Sequence, residues 1–158
     1  MHKINQAIHP VIFTGSKVKV LMSGKDTAGQ FCMLEFKGPP GRSTPLHSHD
    51  REEETIHMLS GQLEVMMGNE TVTLRAGDTI LLPRHVAHRL STQGDEDAHY
   101  LVLCTPAGFD EFVLACAGDD SASTETSVPT PVDIARLREQ APRFGIKLFA
   151  GPEDSSPR

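Results

Sequence analysis

The sequence predicts an all-β sandwich or barrel followed by a short helical extension. Its 158 residues suffice for one compact core and are few for two independent domains. Short apolar or alternating runs follow one another from Val11 to about Thr105, and residues that favour tight turns separate them. Strands and turns at this regular spacing are typical of a sandwich or barrel.

The predicted strands are short runs in which apolar residues alternate with polar ones or stand together. Gly68 and Asn69 separate two of these runs and predict a hairpin turn between them. The runs are 17–22, 30–36, 55–59, 62–67, 70–74, 79–82 and 99–104.

The character of the chain changes after Thr105. A loop signal and helix-period apolar residues predict a short helix near 108–117, which completes a barrel domain over 1–117. The segment 118–131 is rich in Ser, Thr, Asp and Pro and predicts a flexible linker. A second helix is predicted at 131–140, so that 132–158 forms a carboxy-terminal helix and tail. Apolar residues within 144–149 predict docking against the domain or against a neighbouring subunit.

Composition excludes several classes of partner. The net charge is −6 and the basic residues do not cluster, which argues against binding to nucleic acid or to an anionic membrane. No segment has the apolar length of a signal peptide or a membrane span, so we expect a cytoplasmic protein. The three cysteines are widely spaced and predict reduced thiols, with Cys32 and Cys104 in the core.

Four residues that can bind a metal lie at the ends of short apolar runs. His47 and His49 are two positions apart, which places both imidazoles on one face of a strand. Glu54 begins the next apolar run and can direct a carboxylate toward the same point, whereas His88 could join them only through long-range pairing. Three imidazoles and one carboxylate suit one divalent ion of Fe, Ni, Mn, Co, Cu or Zn. The dispersed set contains no cysteine, which favours an open, functional site over a structural zinc site.

These residues resemble the two sequence signatures of the cupin family. The first signature matches at every fixed position, whereas in the second His85 replaces the usual Gly and Thr92 replaces the usual Asn. The matching stretches are Gly41-x5-His47-x-His49-x4-Glu54-x6-Gly61 and Gly77-x5-Pro83-x-His85-x2-His88-x3-Thr92.

The resemblance implies a cupin jelly-roll barrel, also called a double-stranded β-helix, and a homodimer. The segments Gly38-Pro39-Pro40-Gly41, 105–112 and Phe144-Gly145-Ile146 resemble those of quercetin 2,3-dioxygenase-like proteins. This narrower similarity implies His47, His49, Glu54 and His88 as metal ligands, with Glu54 as the catalytic base for a bound phenol or enol. Glu53 also has a spacing that occurs in cupins, but only Glu54 agrees with the spacing to Gly61 as well. Glu52 and Glu53 are then predicted to be solvated turn residues.

These residues are compatible with three functions. The first is a dioxygenase-like oxidoreductase that acts on a small phenolic or enolic substrate. The second is a redox-neutral metal-dependent isomerase or lyase, and the third is a cupin that binds a small ligand without turnover. Among the other histidines, His57 should point away from the metal, His85 should occupy a turn with positive φ, and His99 could face either the pocket or solvent.

Overall fold

The computed structural model describes residues 9–117 and 129–150, and over these residues two antiparallel sheets face each other. Two helices and one 3-10 turn follow the main run of strands. The strands are β1 Val11–Phe13, β2 Ser16–Met22, β3 Cys32–Gly38, β4 His47–His49, β5 Glu53–Ser60, β6 Gln62–Met67, β7 Glu70–Leu74, β8 Thr79–Leu82, β9 His88–Gln93, β10 Ala98–Thr105 and β11 Ile146–Leu148. The helices are α1 Phe109–Ala117 and α2 Pro131–Gln140, and the 3-10 turn is Ala141–Phe144.

The order of the strands shows a jelly roll rather than a simple meander. The six-stranded sheet runs β1-β2-β3-β10-β5-β8, and the five-stranded sheet runs β11-β4-β9-β6-β7. Neighbours in each sheet are therefore often distant in sequence, and consecutive strands such as β4 and β5 lie in opposite sheets. This topology confirms the predicted cupin-type barrel with a short helical extension.

Alternation along the strands builds the core between the sheets. Strand β10 alternates buried and half-buried residues, so that Tyr100, Val102 and Cys104 point inward. Leu34 on β3 and Ile56 on β5 are in register with Val102 and are fully buried beside it. The core predicted from the apolar runs is therefore the space between the two sheets.

The structure contains all seven predicted strands and four more. Most predicted boundaries lie within two residues of the observed ones. The additional strands are β1, β4, β9 and β11, three of which have three residues each. β9 has six residues, but its sequence, HRLSTQ, is mostly polar and shows no apolar run. Pairing with β6 on one side holds β9 in the sheet, and this long-range contact is invisible in a local pattern.

The carboxy-terminal elements pack on the barrel. Thr130 caps α2 by accepting a hydrogen bond from the Asp133 backbone N–H, and the Asp133 side chain accepts one from the Thr130 backbone in return. Strand β11 pairs with β4, so the apolar segment predicted to dock does so against its own domain. The predicted linker lies outside the described residues except for its last three, and the division into domain, linker and tail stays a prediction. Neither helix in the described part of the chain is long and apolar enough to cross a bilayer.

Candidate metal centre

Strand β4 presents two histidines to the interior of the barrel. His47 and His49 are separated by Ser48, so that their side chains share one face of the strand. β4 pairs with β9 at His47 and His88, which brings a third imidazole to the same place from 41 positions along the chain. The ring centroids of His47 and His88 are 4.3 Å apart.

Glu54 completes the cluster from the opposite sheet. It lies on β5, where its side chain is almost fully buried and points between the sheets. Its Oε2 lies 3.4 Å from His49 Nε2 and 3.3 Å from His88 Nε2. One ligand atom from each of the four residues lies within 4.8 Å of the others. The structure therefore brings together the four residues that the sequence selected.

Hydrogen bonds at Nδ1 orient all three imidazoles. In each ring the Nδ1 atom faces an acceptor, so Nδ1 carries the proton in the neutral ring and Nε2 is left with a free lone pair. The three contacts are His47 Nδ1 to the Pro45 carbonyl at 2.8 Å, His49 Nδ1 to Glu52 Oε1 at 2.7 Å, and His88 Nδ1 to the Val86 carbonyl at 3.1 Å.

The atoms that point into the centre lack hydrogen-bond partners. Among the described residues, His49 Nε2, His88 Nε2 and Glu54 Oε2 are buried without one. Leaving a buried polar atom unsatisfied costs about 1–3 kcal/mol, so three such atoms aimed at one point need a common partner. Three nitrogen donors and one carboxylate oxygen are a donor set that fits a divalent transition metal.

Burial and mutual contacts shift the protonation of the cluster. Burial, followed by the neighbouring His88 and His49, lowers the pKa of His47 to about 3, so this ring is neutral near pH 7. Burial alone would raise the pKa of Glu54, but contact with His88 and the charges of His49 and His88 lower it to about 2. The carboxylate is therefore ionised and able to bind a cation.

Glu52 was predicted to be a solvated turn residue, and that prediction is wrong. Its side chain is almost fully buried and accepts the hydrogen bond from His49 Nδ1. Burial alone lowers the pKa of His49, but this hydrogen bond and the charges of Glu54, Glu52 and Asp50 outweigh it and raise the pKa. Glu53 is half-buried at the start of β5 rather than in a solvated turn. Three consecutive charged residues are typical of a solvated turn, but Glu52 and Glu54 are both buried, Glu52 against His49 and Glu54 in the cluster.

A narrow apolar cavity adjoins the cluster. His47 and Glu54 line it, and its volume is about 40 Å³. Its remaining wall is mostly aromatic and aliphatic, and part of that wall comes from α1, α2 and β11. These apolar lining residues are Phe13, Phe36, Pro45, Leu90, Val102, Phe109, Phe112, Leu137, Ile146 and Leu148.

The other histidines lie outside the cluster. His57 points away from it and forms a 2.7 Å hydrogen bond with Thr79 Oγ1, as its strand position predicts. His85 has a φ of 66° and an exposed side chain that faces Asp50 Oδ1 at 3.2 Å. His99, whose direction was left open, faces outward on β10, and its Nε2 lies 3.6 Å from Glu35 Oε2.

Comparison with known proteins agrees with this architecture. The family model for the cupin domain matches residues 34–104, which include all four residues of the cluster. Residues 34–104 form a domain of the cupin superfamily. His85 stands where the second cupin signature usually has Gly. Its positive φ is a backbone conformation that favours Gly, and His is among the other residues that tolerate it.

Relatives of this cupin carry different names. It is 34% identical over 67 residues to a protein named polyketide synthase CurC from Streptomyces cyaneus, covering 42% of this chain and 44% of that protein. It is 28% identical over 90 residues to quercetin 2,3-dioxygenase from Bacillus subtilis, covering 56% of this chain and 26% of that enzyme. The matched parts thus span less than half of these two relatives.

The structural comparison shows the fold alone. The solved structure of KdgF from Halomonas sp. superposes with a TM-score of 0.58 over 68% of this chain and 93% of that chain, at 20% identity. At such identity the shared barrel says nothing about a shared reaction.

Proposed function

We propose that this cupin binds one divalent transition metal through His47, His49, Glu54 and His88 and acts as a dioxygenase-like oxidoreductase on a small phenolic or enolic substrate. The observation that carries the proposal is the convergence of buried, unpartnered Nε2 and Oε2 atoms beside an apolar cavity. The ligand types do not select among Fe, Ni, Mn, Co, Cu and Zn.

The residues of the site have different roles in the proposed reaction. A bound divalent metal would act as a Lewis acid and lower the pKa of a hydroxyl group on the substrate. Glu54 is ionised and lines the cavity, so its carboxylate can accept the proton of that hydroxyl. The aromatic side chains of Phe36 and Phe109 offer an apolar surface for the ring of the substrate.

The names of two relatives support a phenolic or enolic substrate. One is named for quercetin, a phenolic compound, and the other for polyketide synthesis. A redox-neutral isomerase or lyase is the second candidate, because an ionised carboxylate beside an apolar cavity can move a proton without any oxidant. A cupin that only binds a small ligand is the third.

Metal analysis combined with oxygen uptake separates these functions. Tag-free protein is analysed for metals by elemental mass spectrometry, and the same sample is mixed with flavonols and other enolisable phenols in an oxygen electrode. About one transition-metal ion per chain with substrate-dependent oxygen consumption is expected. Stoichiometric metal without oxygen consumption would shift the proposal to the isomerase, lyase or binding role. Protein that stays metal-free after reconstitution would refute the metal centre.

We also propose a homodimer in the cytoplasm, as the resemblance and the composition predict. Light scattering of the purified protein tests the dimer, and fractionation of cells tests the location.

Replacing Glu52 should weaken metal binding without removing a ligand. In Glu52→Ala the Nδ1 of His49 loses its carboxylate partner. The imidazole ring is then less firmly oriented, and its Nε2 is less basic. We expect the affinity for the metal to fall about 10–100-fold. Competition against a chromogenic chelator measures this change. Glu53→Ala is the matched control, and a similar loss in both variants would contradict the role assigned to Glu52.

Metal affinity should rise with pH because a proton must leave His49. Its pKa is raised above the ordinary value of 6.5, so below that raised pKa the metal competes with a proton on the ring. The apparent affinity should increase about tenfold per pH unit up to the pKa of His49 and level off above it. His47, with a pKa of about 3, contributes nothing in this range.

Calorimetric titration in buffers with different ionisation enthalpies counts the protons released. About one proton per metal ion is expected near pH 6.5. In Glu52→Ala the rise of metal affinity with pH should move to lower pH, because the strongest interaction that raises the pKa of His49 is gone. An affinity that does not change with pH in either protein would refute this account.

A further inference from the structure

Arg42 is a buried cation in the wall of the cavity that adjoins the metal centre. It is 2% exposed and lines the same cavity as His47 and Glu54. It lies in the middle of the connection between β3 and β4, five residues before His47. None of the functions discussed above assigns it a role.

Thr14 accounts for only part of the hydrogen-bonding capacity of Arg42. The Nε–H donates to the Thr14 carbonyl at 3.2 Å, and Nη2 donates to Thr14 Oγ1 at 2.6 Å. A guanidinium has five N–H donors, so both donors of Nη1 and the second donor of Nη2 remain. Tyr100, which also lines the cavity, lies close enough to the guanidinium to interact with it. At least two donors are therefore left over.

No negative charge within the described residues pairs with Arg42. The described ion pairs involve other cations, and Glu54, the carboxylate that shares the cavity wall, lies 3.3 and 3.4 Å from His88 and His49. Burial, together with the charge of Glu54, raises the pKa of the Tyr100 hydroxyl despite the opposing effect of Arg42, so this residue stays a neutral phenol. A buried, unpaired guanidinium is costly, which makes it a strong site for an anion that enters the cavity.

We propose that Arg42, with Tyr100 beside it, binds an acidic oxygen group of the substrate while another oxygen of the same molecule faces the metal centre. The ligand is then an aromatic or enolic anion whose second acidic group is a carboxylate or an ionised phenol, rather than a neutral compound. Apolar residues such as Phe36 and Val102 line the same cavity and can contact the body of the ligand. This proposal rests on the proposed function for the metal centre and for the aromatic or enolic class of the ligand.

Matched probes test the proposal by binding rather than by turnover. Protocatechuate is a catechol with one carboxylate, and protocatechuamide is its neutral amide, so both offer the same two hydroxyl groups to the metal centre. Isothermal titration calorimetry measures both, in metal-loaded and in metal-free protein. Wild-type protein should bind the acid about 10–100-fold more tightly than the amide, as expected for a hydrogen-bonded charge pair.

Variants distinguish recognition by Arg42 from a merely structural role. Because Arg42 also holds Thr14, which has a φ of 46° in the turn between β1 and β2, Arg42→Met could impair folding. Arg42→Lys keeps the charge but not the planar fork, and it should retain part of the preference for the acid. Arg89→Met on β9 is the control, because this cation does not line the cavity. Thermal unfolding checks the fold of each variant.

The outcomes separate this proposal from the metal-centre proposal. Loss of the acid preference in folded Arg42→Met, with unchanged amide affinity and unchanged metal content, supports recognition by Arg42. The same preference in wild type and Arg42→Met, or no preference in wild type for the acid over the amide and none for nitrocatechol over catechol, overturns it, and this includes the case in which no probe binds. Absence of oxygen uptake refutes the dioxygenase alone.

A second pair of probes, nitrocatechol and catechol, tests whether the bound group is an ionised phenol. This is the case if only the second pair shows a preference that depends on Arg42.

Discussion

Replacing His47 with alanine is expected to reduce the metal content of the purified protein to less than about a tenth of that of wild type. The variant removes one of four ligands, and the three that remain cannot hold a divalent ion with the same geometry. His47 is the ligand whose loss should disturb the fold least, since it is half-buried beside the cavity and its Nδ1 partner is the backbone carbonyl of Pro45. Elemental mass spectrometry after dialysis measures the loss.

His57→Ala is the matched control for that experiment. His57 is also half-buried and also lies on a strand, but it faces away from the centre and bonds to Thr79. The metal content of His57→Ala should stay near the wild-type value. Equal loss of metal in both variants would show that the effect comes from general destabilisation and would remove the support for His47 as a ligand.

Gly61→Ala is expected to destabilise the protein by roughly 3 kcal/mol or more. Gly61 has a φ of 74° between β5 and β6, and a Cβ atom there would overlap the backbone carbonyl of Asp97 and lie 3.0 Å from the Cα of Ala98. Both contacts are backbone atoms at the start of β10, so no side-chain rotation relieves them. A loss of this size lowers the melting temperature by about 10 °C in a domain of this length.

Gly68→Ala separates the clash from the backbone strain. Gly68 also has a positive φ, 58°, in the turn between β6 and β7, but a Cβ there would meet no atom within 4 Å. This variant should lose only about 1 kcal/mol, the cost of a left-handed conformation for alanine. Thermal and urea unfolding of both variants give the comparison, and equal losses would show that the close approach of Asp97 costs nothing.

The local pattern of the sequence was enough to select three of the four residues of the metal centre. The spacing of His47 and His49 places them on one face of any strand, and Glu54 begins the following apolar run. The assignment of His88 depended on the resemblance to the cupin signatures, because nothing within β9 marks it as a strand. The structure adds the pairing of β4 with β9 that brings His88 to the cluster.

The two polar residues that the sequence did not single out are Glu52 and Arg42. Both are charged residues in polar stretches, where such residues are usually solvated. Their burial depends on contacts that a local pattern does not show. Glu52 is buried against His49, and Arg42 is buried against Thr14 and Tyr100. A charged residue two to five positions from a ligand pair is the signal that could have identified them.

The composition and periodicity of this sequence determined the fold class, most of the strands and three of the four candidate ligands, because these depend on residue types at fixed local spacing. The tertiary structure decided which sheet each strand joins, which ring nitrogens are free, and which charges are buried without a counter-ion. The physical reason is that hydrogen-bond satisfaction and desolvation are set by neighbours from all parts of the chain, and those neighbours exist only after the two sheets have closed on each other.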